Sequence, residues 1–221
     1  MADYYGNAVT VLRASDGAIV GSVPLPGPPV SLVFDGSNIW AASAVASADN
    51  LTKHDIKVGT TTTFSLGGTN NIQQIAFDGA NIWAVTSTNN SVTKVRASDG
   101  VVLQSVPVGT GPQGVVFDGA NIWVSNAQDG TVSKVRANDG TVLGTFPAGP
   151  SIDSASEPIA MEFDGANIWV GLHGTGFVVK LRASDGSFLG QYPAGPQTGS
   201  LAFDGANIWA CRLGANIVSK Y

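Results

Sequence analysis

The heptapeptide FDGANIW recurs along most of the chain. It occurs at 77–83, 117–123, 163–169 and 203–209, and FDGSNIW at 34–40 is a fifth, nearly identical copy. Its phenylalanines, at 34, 77, 117, 163 and 203, are 43, 40, 46 and 40 residues apart. A second motif alternates with it, as VLRASDG at 11–17, KVRASDG at 94–100, KVRANDG at 134–140 and KLRASDG at 180–186. Such a period is the signature of a repeat architecture.

Each repeat contains four short runs rich in β-branched and aromatic residues. In the third unit these runs are GVVFDG, NIWVSN, GTVSKVRA and GTVLGTFPAG. The Asp-Gly pairs between them favour hairpins, because glycine adopts a positive φ without a Cβ clash and aspartate can accept hydrogen bonds from turn amides. Four strands in a unit of ~40–45 residues are typical of a β-propeller blade. We label these strands A, B, C and D from the central channel outward.

Counting the strands predicts an all-β, five-bladed propeller of four-stranded antiparallel blades. Runs of types A, B and D occur five times, whereas type C occurs six times, first at Val9–Arg13 and last at Val218–Tyr221. We therefore expect residues 1–221 to form one domain, in which the N-terminal strands at 9–25 complete the blade formed by 196–221. One C strand is left over. It could lie outside the sheet, add a fifth strand, pair with another molecule or mark a longer array; a closed monomer is favoured over a strand-exchanged oligomer.

The composition excludes several functional classes. Apolar residues make up 43% of the chain and charged residues 12%, which is too hydrophobic for a disordered protein. With a net charge of −5 and no basic run, binding to nucleic acid or to an anionic membrane is not expected. One cysteine excludes an intramolecular disulfide, and no signal peptide, transmembrane run or cofactor motif is visible, so the compartment stays unknown.

The repeats resemble known propeller families. The run PQGVVFDG at 112–119, IWVSN at 122–126 and the stretch from Val132 to Gly140 look like YVTN/NHL-type β-propeller repeats of bacterial and archaeal proteins. They are also similar to the blades of the streptogramin (virginiamycin) B lyase family. The resemblance implies a propeller fold, and propellers of this kind include lectins, lyases, lactonases and adhesion modules. Those relatives have six or seven blades.

The residues repeated in every unit are interpreted as structural. The aspartates of the A–B turn follow Phe and precede Gly, as turn chemistry requires, and no second carboxylate lies nearby to complete a calcium loop. The tryptophans come early in strand B, where a large ring is expected to pack between blades. The predicted turn residues are Asp35, Asp78, Asp118, Asp164 and Asp204, and the predicted core residues are Trp40, Trp83, Trp123, Trp169 and Trp209.

Candidate ligand-binding residues are sought where the repeats differ. Both Asp-Gly turns lie at one end of a blade, so the B–C and D–A loops form the opposite end, here called the loop face. Simple hairpin pairing predicts that Asn126 lies opposite Gly114 and that His173 falls near Glu157, while Glu162 has Arg212 as its nearest candidate partner. The predicted ligand-binding set is Gln74, Gln113, Asn126, Glu157, Glu162, His173 and Arg212. No metal site is predicted.

Three functions remain open from the sequence. The first is a non-catalytic module that binds a small polar ligand, a glycan or a peptide on the loop face, because no nucleophile, base and orienting group can be recognised together. The second is a metal-assisted lyase or lactonase, with His173 as base and Glu162 or Glu157 as metal ligand or acid. The third is a structural repeat scaffold, amplified or designed, without a ligand of its own.

Overall fold

The computed structural model describes residues 1–45, 48–67, 71–213 and 215–221. Within these ranges the chain forms 22 strands, arranged as six separate antiparallel sheets, and one short 3-10 helix. The prediction of an all-β propeller is confirmed. The prediction of five blades is wrong, because the structure has six blades of mostly three or four strands. In the described part of the chain, no helix has the length and hydrophobicity needed to cross a membrane.

Sheets 2 to 5 are complete blades whose strands follow chain order from A to D. Sheet 2 contains β4 (Pro29–Phe34), β5 (Asn38–Val45), β6 (Ala48–Asp55) and β7 (Thr61–Ser65). Sheet 3 contains β8 (Ile72–Phe77), β9 (Asn81–Thr86), β10 (Ser91–Arg96) and β11 (Val102–Pro107). Sheet 4 contains β12 (Pro112–Phe117), β13 (Asn121–Asn126), β14 (Thr131–Arg136) and β15 (Val142–Pro147). Sheet 5 contains β16 (Pro158–Phe163), β17 (Asn167–Leu172), β18 (Phe177–Arg182) and β19 (Phe188–Pro193).

Sheets 1 and 6 have three strands each and do not merge into one blade. Sheet 1 contains β1 (Ala2–Asp3), β2 (Ala8–Leu12) and β3 (Ile19–Pro24), which are strands of types B, C and D. Sheet 6 contains β20 (Thr198–Phe203), β21 (Ile208–Arg212) and β22 (Ile217–Lys220), of types A, B and C. The predicted closure, in which strands at 9–25 complete the blade of residues 196–221, is therefore wrong.

Local pairing explains why the N-terminal strands form a sheet of their own. Val9 of β2 pairs with Val23 of β3 across the Asp-Gly turn, and with Ala2 of β1 on its other side. Both hairpins close short loops, which costs less chain entropy than pairing β3 with a strand about 200 residues away. Strand β1 could not be predicted from the sequence, because the B–C turn between β1 and β2 has no repeated motif. Its marker is Asn7, whose φ of 50° matches those of Asn90 and Asn216 at the equivalent turns.

A β-bulge at the start of every A strand changes the predicted pairing. In sheet 4, Pro112 lies opposite Asn126 and Val115 lies opposite Val124, so two residues of β12 face one residue of β13. Asn126 is therefore not opposite Gly114, as simple pairing predicted. The bulge leaves the Gly114 amide outside the ladder, and it donates instead to Ser125 Oγ at 2.8 Å.

The hydrophobic core lies between neighbouring sheets rather than within each one. Trp40, Trp83 and Trp123 are fully buried, each against residues of the following sheet. Trp209 of sheet 6 is 37% exposed, and Val218 of β22 is 60% exposed although its equivalents in sheets 3 to 5 are fully buried. The face of sheet 6 that carries Trp209 and Val218 is therefore not covered by the described residues, whereas the equivalent faces of sheets 3 to 5 pack against the following sheet.

Candidate functional site

The five aspartates of the A–B turns are engaged in the same hydrogen-bond pattern. Asp118 accepts from the amides of Ala120 and Asn121 at 2.9 and 2.6 Å, from the Asn121 side chain, and from Trp123 Nε1 at 2.8 Å. Burial raises the pKa of Asp118, but the tryptophan, asparagine and amide donors outweigh it and hold the pKa below its usual value. The same donors lower the pKa of Asp164 to about 2 against the opposing effect of burial. Carboxylates satisfied in this way stay ionised and hold the turn and the indole together.

A lysine of strand C joins each of three blades to the next. Lys94 donates to the carbonyl oxygens of Ala137 and Asn138 in the following sheet, at 2.6 and 3.1 Å, and its Nζ lies 5.2 Å from the centre of the Trp83 ring. Lys53 and Lys134 make the equivalent contacts. The lysine ammonium group therefore links neighbouring sheets, because it donates to carbonyl oxygens of the following sheet and lies against the indole of its own sheet.

The A strands of sheets 2 to 6 surround a central cavity of about 310 Å³. Its polar lining comes from Gln73, Gln74 and Gln113 together with serines at 31 and 200, and its apolar lining includes Ile159 and Met161. These residues lie near the beginning of each A strand, where the D–A loop enters, so the cavity opens toward the loop face. Two of the seven predicted ligand-binding residues, Gln74 and Gln113, are in this lining.

Two of the polar groups around the cavity also connect the blades. Gln74 Oε1 accepts a hydrogen bond from the Val115 amide at 2.9 Å, and Ser31 Oγ accepts from the Ile75 amide at 3.2 Å. In both cases the amide lies in the A strand of the sheet that follows the one supplying the acceptor. Gln113 occupies the bulge of sheet 4 and lines the same cavity. The hydrophobic pattern predicts neither this bonding nor the bulge beside it.

The insert of the fifth blade folds against the B–C turn of the same blade. Residues Ser154–Ser156 form the 3-10 helix, and Glu157 follows it with φ of 46°, a left-handed conformation that is strained for a residue other than glycine. Its carbonyl accepts from the His173 amide at 3.0 Å, and its carboxylate lies 3.0 Å from His173 Nδ1. Glu157 and His173 are thus brought together on the loop face, outside the lining of the central cavity.

Glu162 and Arg212 are not paired with each other in the described part of the structure. Glu162 lies opposite Trp169 in the ladder and accepts from the Phe163 amide at 3.3 Å. Burial raises the pKa of Glu162 despite that hydrogen bond. Arg212 lies beside Gly195, where an added Cβ would come within 2.5 Å of its Cζ atom, and its buried Nε has no hydrogen-bond partner among the described residues.

Asn126 is the last residue of β13 and lies next to the B–C turn of sheet 4. It is fully buried, and its side-chain amide donates to Thr131 Oγ1 at 3.0 Å and to Ser133 Oγ at 2.9 Å. Its Oδ1 has no partner in the described residues. The residue therefore stabilises the B–C hairpin of sheet 4. Across the described residues, no three His, Cys, Asp or Glu side chains are grouped so that they could hold a metal ion.

Comparison with known proteins relates the chain to propellers by structure. No protein-family model matches it, and no curated protein matches it by sequence. A streptogramin B lyase structure is similar to 99% of this chain and 76% of its own, with a TM-score of 0.81 and 18% identity. The Cps50 (Swd1) β-propeller domain of Myceliophteria thermophila gives a TM-score of 0.76 with 15% identity, over 99% of this chain and 77% of that one. A proposed 6-phosphogluconolactonase from Bacteroides uniformis gives 0.75 with 16% identity, over 97% and 73%.

These similarities show the β-propeller fold that the protein shares with its neighbours, among them a streptogramin B lyase. At 15 to 18% identity they carry no activity over to this chain. The resemblance to YVTN/NHL-type repeats stays a prediction from the sequence motifs.

Proposed function

We propose that the protein is a binding module that recognises a small polar ligand, a glycan or a peptide at the loop-face end of its central cavity. The observation that carries this proposal is the cavity of about 310 Å³, which is lined by five inner strands, four of which contribute glutamine or serine side chains. Pockets of this size with a few convergent polar groups are typical of small-molecule sites. Amides and hydroxyls can both donate and accept hydrogen bonds, which suits a polyhydroxylated or peptide ligand.

The variation among repeats supports the same proposal. The A–B turns repeat one heptapeptide because each must hold a tryptophan, whereas the cavity residues change from blade to blade. The bulge positions equivalent to Gln74 carry Ser31, Gly114, Ala160 and Ser200. A ring that served only as a scaffold could carry the same residue at this position in every blade, whereas an asymmetric ligand requires different side chains on different sides of the cavity.

A screen of glycans, peptides and polar metabolites by thermal shift, followed by calorimetry of the hits, tests this function. The Gln113→Ala variant is expected to weaken binding of a genuine ligand at least tenfold, the loss expected for one or two hydrogen bonds. Gln191→Ala is the matched control, since Gln191 is exposed on outer strand β19. Ligands that bind only at the Asp-Gly turn face, or that are insensitive to Gln113→Ala, would disprove the assignment.

A lyase or lactonase activity is a second candidate, favoured by the pairing of His173 with Glu157. Because Glu157 contacts Nδ1 of the histidine, Nε2 is left to act as a base toward a substrate on the loop face. In this candidate the half-buried Glu162 would serve as an acid or metal ligand. Lactone and cyclic-ester substrates should be assayed with the wild type and His173→Ala in the presence of Mg²⁺. Turnover that survives the substitution unchanged excludes this role for His173.

A further inference from the structure

The described side chains that line the central cavity are uncharged, and the protein itself uses only part of their hydrogen-bonding capacity. Gln74 Oε1 accepts from the Val115 amide at 2.9 Å, so its Nε2 group is left as a donor. Ser31 Oγ accepts from the Ile75 amide at 3.2 Å, so its hydroxyl proton is left to be donated. Because a backbone N–H group can only donate, the bond from Val115 also fixes the orientation of the Gln74 amide.

Gln73 and Gln113 supply acceptors to the same cavity. Gln73 Nε2 donates to the carbonyl oxygen of Asn71 and to Ser87 Oγ, both at 3.3 Å, so its Oε1 atom is left as an acceptor. The side-chain amide of Gln113 has no hydrogen bond to another described residue, so both its N–H and its C=O groups are left. Sheets 3 and 4 therefore present donors and acceptors side by side.

The wall formed by sheets 5 and 6 is largely apolar and begins directly beside Gln113. Its apolar side chains are those of Ile159, Ala160, Met161 and Leu201. Gly114 follows Gln113 in β12, and a Cβ added to Gly114 would lie 2.6 Å from the Ile159 carbonyl oxygen and 3.1 Å from Met161 Cγ. Ser200 is the one polar side chain of this wall among the described residues. The cavity thus has one side, from sheets 2 to 4, that carries three glutamines, and another that favours hydrocarbon.

We infer, on the basis of the function proposed above, that the cavity binds an uncharged ligand in which a primary carboxamide stands next to an aliphatic group, such as the end of an amidated peptide. A primary carboxamide carries an N–H and a C=O side by side, so it pairs through two hydrogen bonds with the Gln113 amide, which has the same arrangement. Its second N–H matches the acceptor on Gln73, and the second lone pair of its oxygen matches the donor on Gln74. The aliphatic group gains free energy by covering the apolar wall.

Other classes of ligand suit this cavity less well. An ammonium or carboxylate group would lose its hydration there without meeting an opposite charge among the described lining residues. A glycan would place hydroxyls against the apolar wall as well as against the glutamines, and the described lining has no aromatic ring for a sugar to pack on. The volume of about 310 Å³ is at the lower end for small-molecule sites, so it suits a single residue rather than a longer chain.

Saturation-transfer NMR of three leucine derivatives with the full chain tests this ligand class. N-acetyl-leucinamide is uncharged, N-acetyl-leucine carries a carboxylate, and leucinamide carries an ammonium group at pH 6. We expect N-acetyl-leucinamide to bind with a dissociation constant of roughly 1 mM, as is typical of so small a ligand, and at least tenfold more tightly than either charged probe. Its leucine methyl groups should receive the strongest saturation, because they lie against the apolar wall.

Gln113→Glu is the decisive variant, because it keeps the shape of the side chain but replaces the N–H donor with a negative charge. It should weaken binding of N-acetyl-leucinamide at least tenfold and strengthen binding of leucinamide, so that the preference between these two probes reverses. Gln113→Met removes the hydrogen bonds without adding a charge, and it should weaken only N-acetyl-leucinamide. Gln191→Glu is the matched control, since Gln191 is exposed on outer strand β19. Circular dichroism checks the folding of each variant.

Selective binding of N-acetyl-leucinamide, with a preference that Gln113→Glu reverses and Gln191→Glu does not, supports the inference. Equal affinity for N-acetyl-leucine overturns it. If N-acetyl-leucinamide does not bind while a ligand of another class from the screen binds in a Gln113-dependent way, the inference fails and the function proposed for the cavity stands. Equal binding of N-acetyl-leucinamide to the wild type, Gln113→Glu and Gln113→Met would contradict both, because it would place the site away from the cavity.

Discussion

Replacing Asp118 with alanine tests how much one A–B turn contributes to the fold. The substitution leaves Trp123 Nε1 without its acceptor in a side chain that is fully buried, which costs about 1–3 kcal/mol. Two turn amides also lose their acceptor, at about 0.5–1 kcal/mol each because water can reach the turn. Together these effects predict a loss of about 3 kcal/mol in the free energy of unfolding, or a fall in Tm of roughly 6–12 °C for a chain of this size.

The same heptapeptide in sheet 6 provides an internal control. Asp204 makes the equivalent bonds, including one from Trp209 Nε1 at 2.7 Å, but Trp209 is 37% exposed and water can replace the lost acceptor. Urea unfolding followed by circular dichroism should therefore show a clearly smaller loss for Asp204→Ala than for Asp118→Ala, with Asp118→Asn in between. Equal losses of unfolding free energy at the two sites would contradict this prediction, because they would show that burial of the indole does not set the cost of losing its acceptor.

The remaining predictions concern the lysines, two carboxylates and the insert. Lys94→Met should lower the free energy of unfolding by about 2 kcal/mol, since it leaves the carbonyl of Ala137 without a donor between two sheets, whereas Lys220→Met should have little effect on the urea midpoint. Because burial raises the pKa of Glu162, the folded protein loses stability as the pH rises from about 4 through that raised pKa. The urea midpoint of Glu162→Gln should therefore equal that of the wild type at pH 3.5 and be higher than it at pH 7. Equal midpoints at pH 7 would contradict this prediction. The effect of pH on Asp164 is the opposite, because its pKa is lowered to about 2 and the ionised carboxylate stabilises the fold above its unfolded pKa. The free energy of unfolding of the wild type should therefore exceed that of Asp164→Asn at neutral pH. An acid titration of both proteins should show this difference disappearing as the pH falls toward 2. Glu157→Gly should leave the free energy of unfolding unchanged or raise it by up to about 1 kcal/mol, as measured by thermal unfolding. Glycine adopts the left-handed conformation without strain, and the exposed contact between Glu157 and His173 contributes little. A loss of more than about 1 kcal/mol would show that this contact contributes more than the strain costs.

Strand type and order could be predicted from the sequence because each unit repeats its own turn residues. The Asp-Gly pairs fix where hairpins close, and the alternating apolar runs fix which residues are buried. The number of blades could not be predicted in the same way. It depends on whether β3 pairs with β2 or with β22, and those two strands carry nearly the same pattern of residues. The local hairpins of sheet 1, closed by Asn7 and by Gly17, decided between them.

The positions of the candidate ligand residues were harder to predict because of the bulges. The bulge at the start of β12 places Gln113 at the cavity, and Asn126 is buried although it ends β13 beside the B–C turn; neither position follows from the hydrophobic periodicity. The insert at 150–158 could be recognised as unusual, but its contact with His173 depends on a left-handed Glu157 that composition does not reveal.

The lysine that reaches forward from one sheet to the next has a consequence for how such proteins change in evolution. The repeats of sheets 3 and 4 each carry both a cation for the following sheet and a pair of turn carbonyls for the preceding one, as Lys94 and Ala137 show. A gene duplication that copies one whole unit would therefore bring a matching junction on either side without any compensating mutation. Propellers built on this rule can grow or shrink by single units while every existing boundary keeps its chemistry.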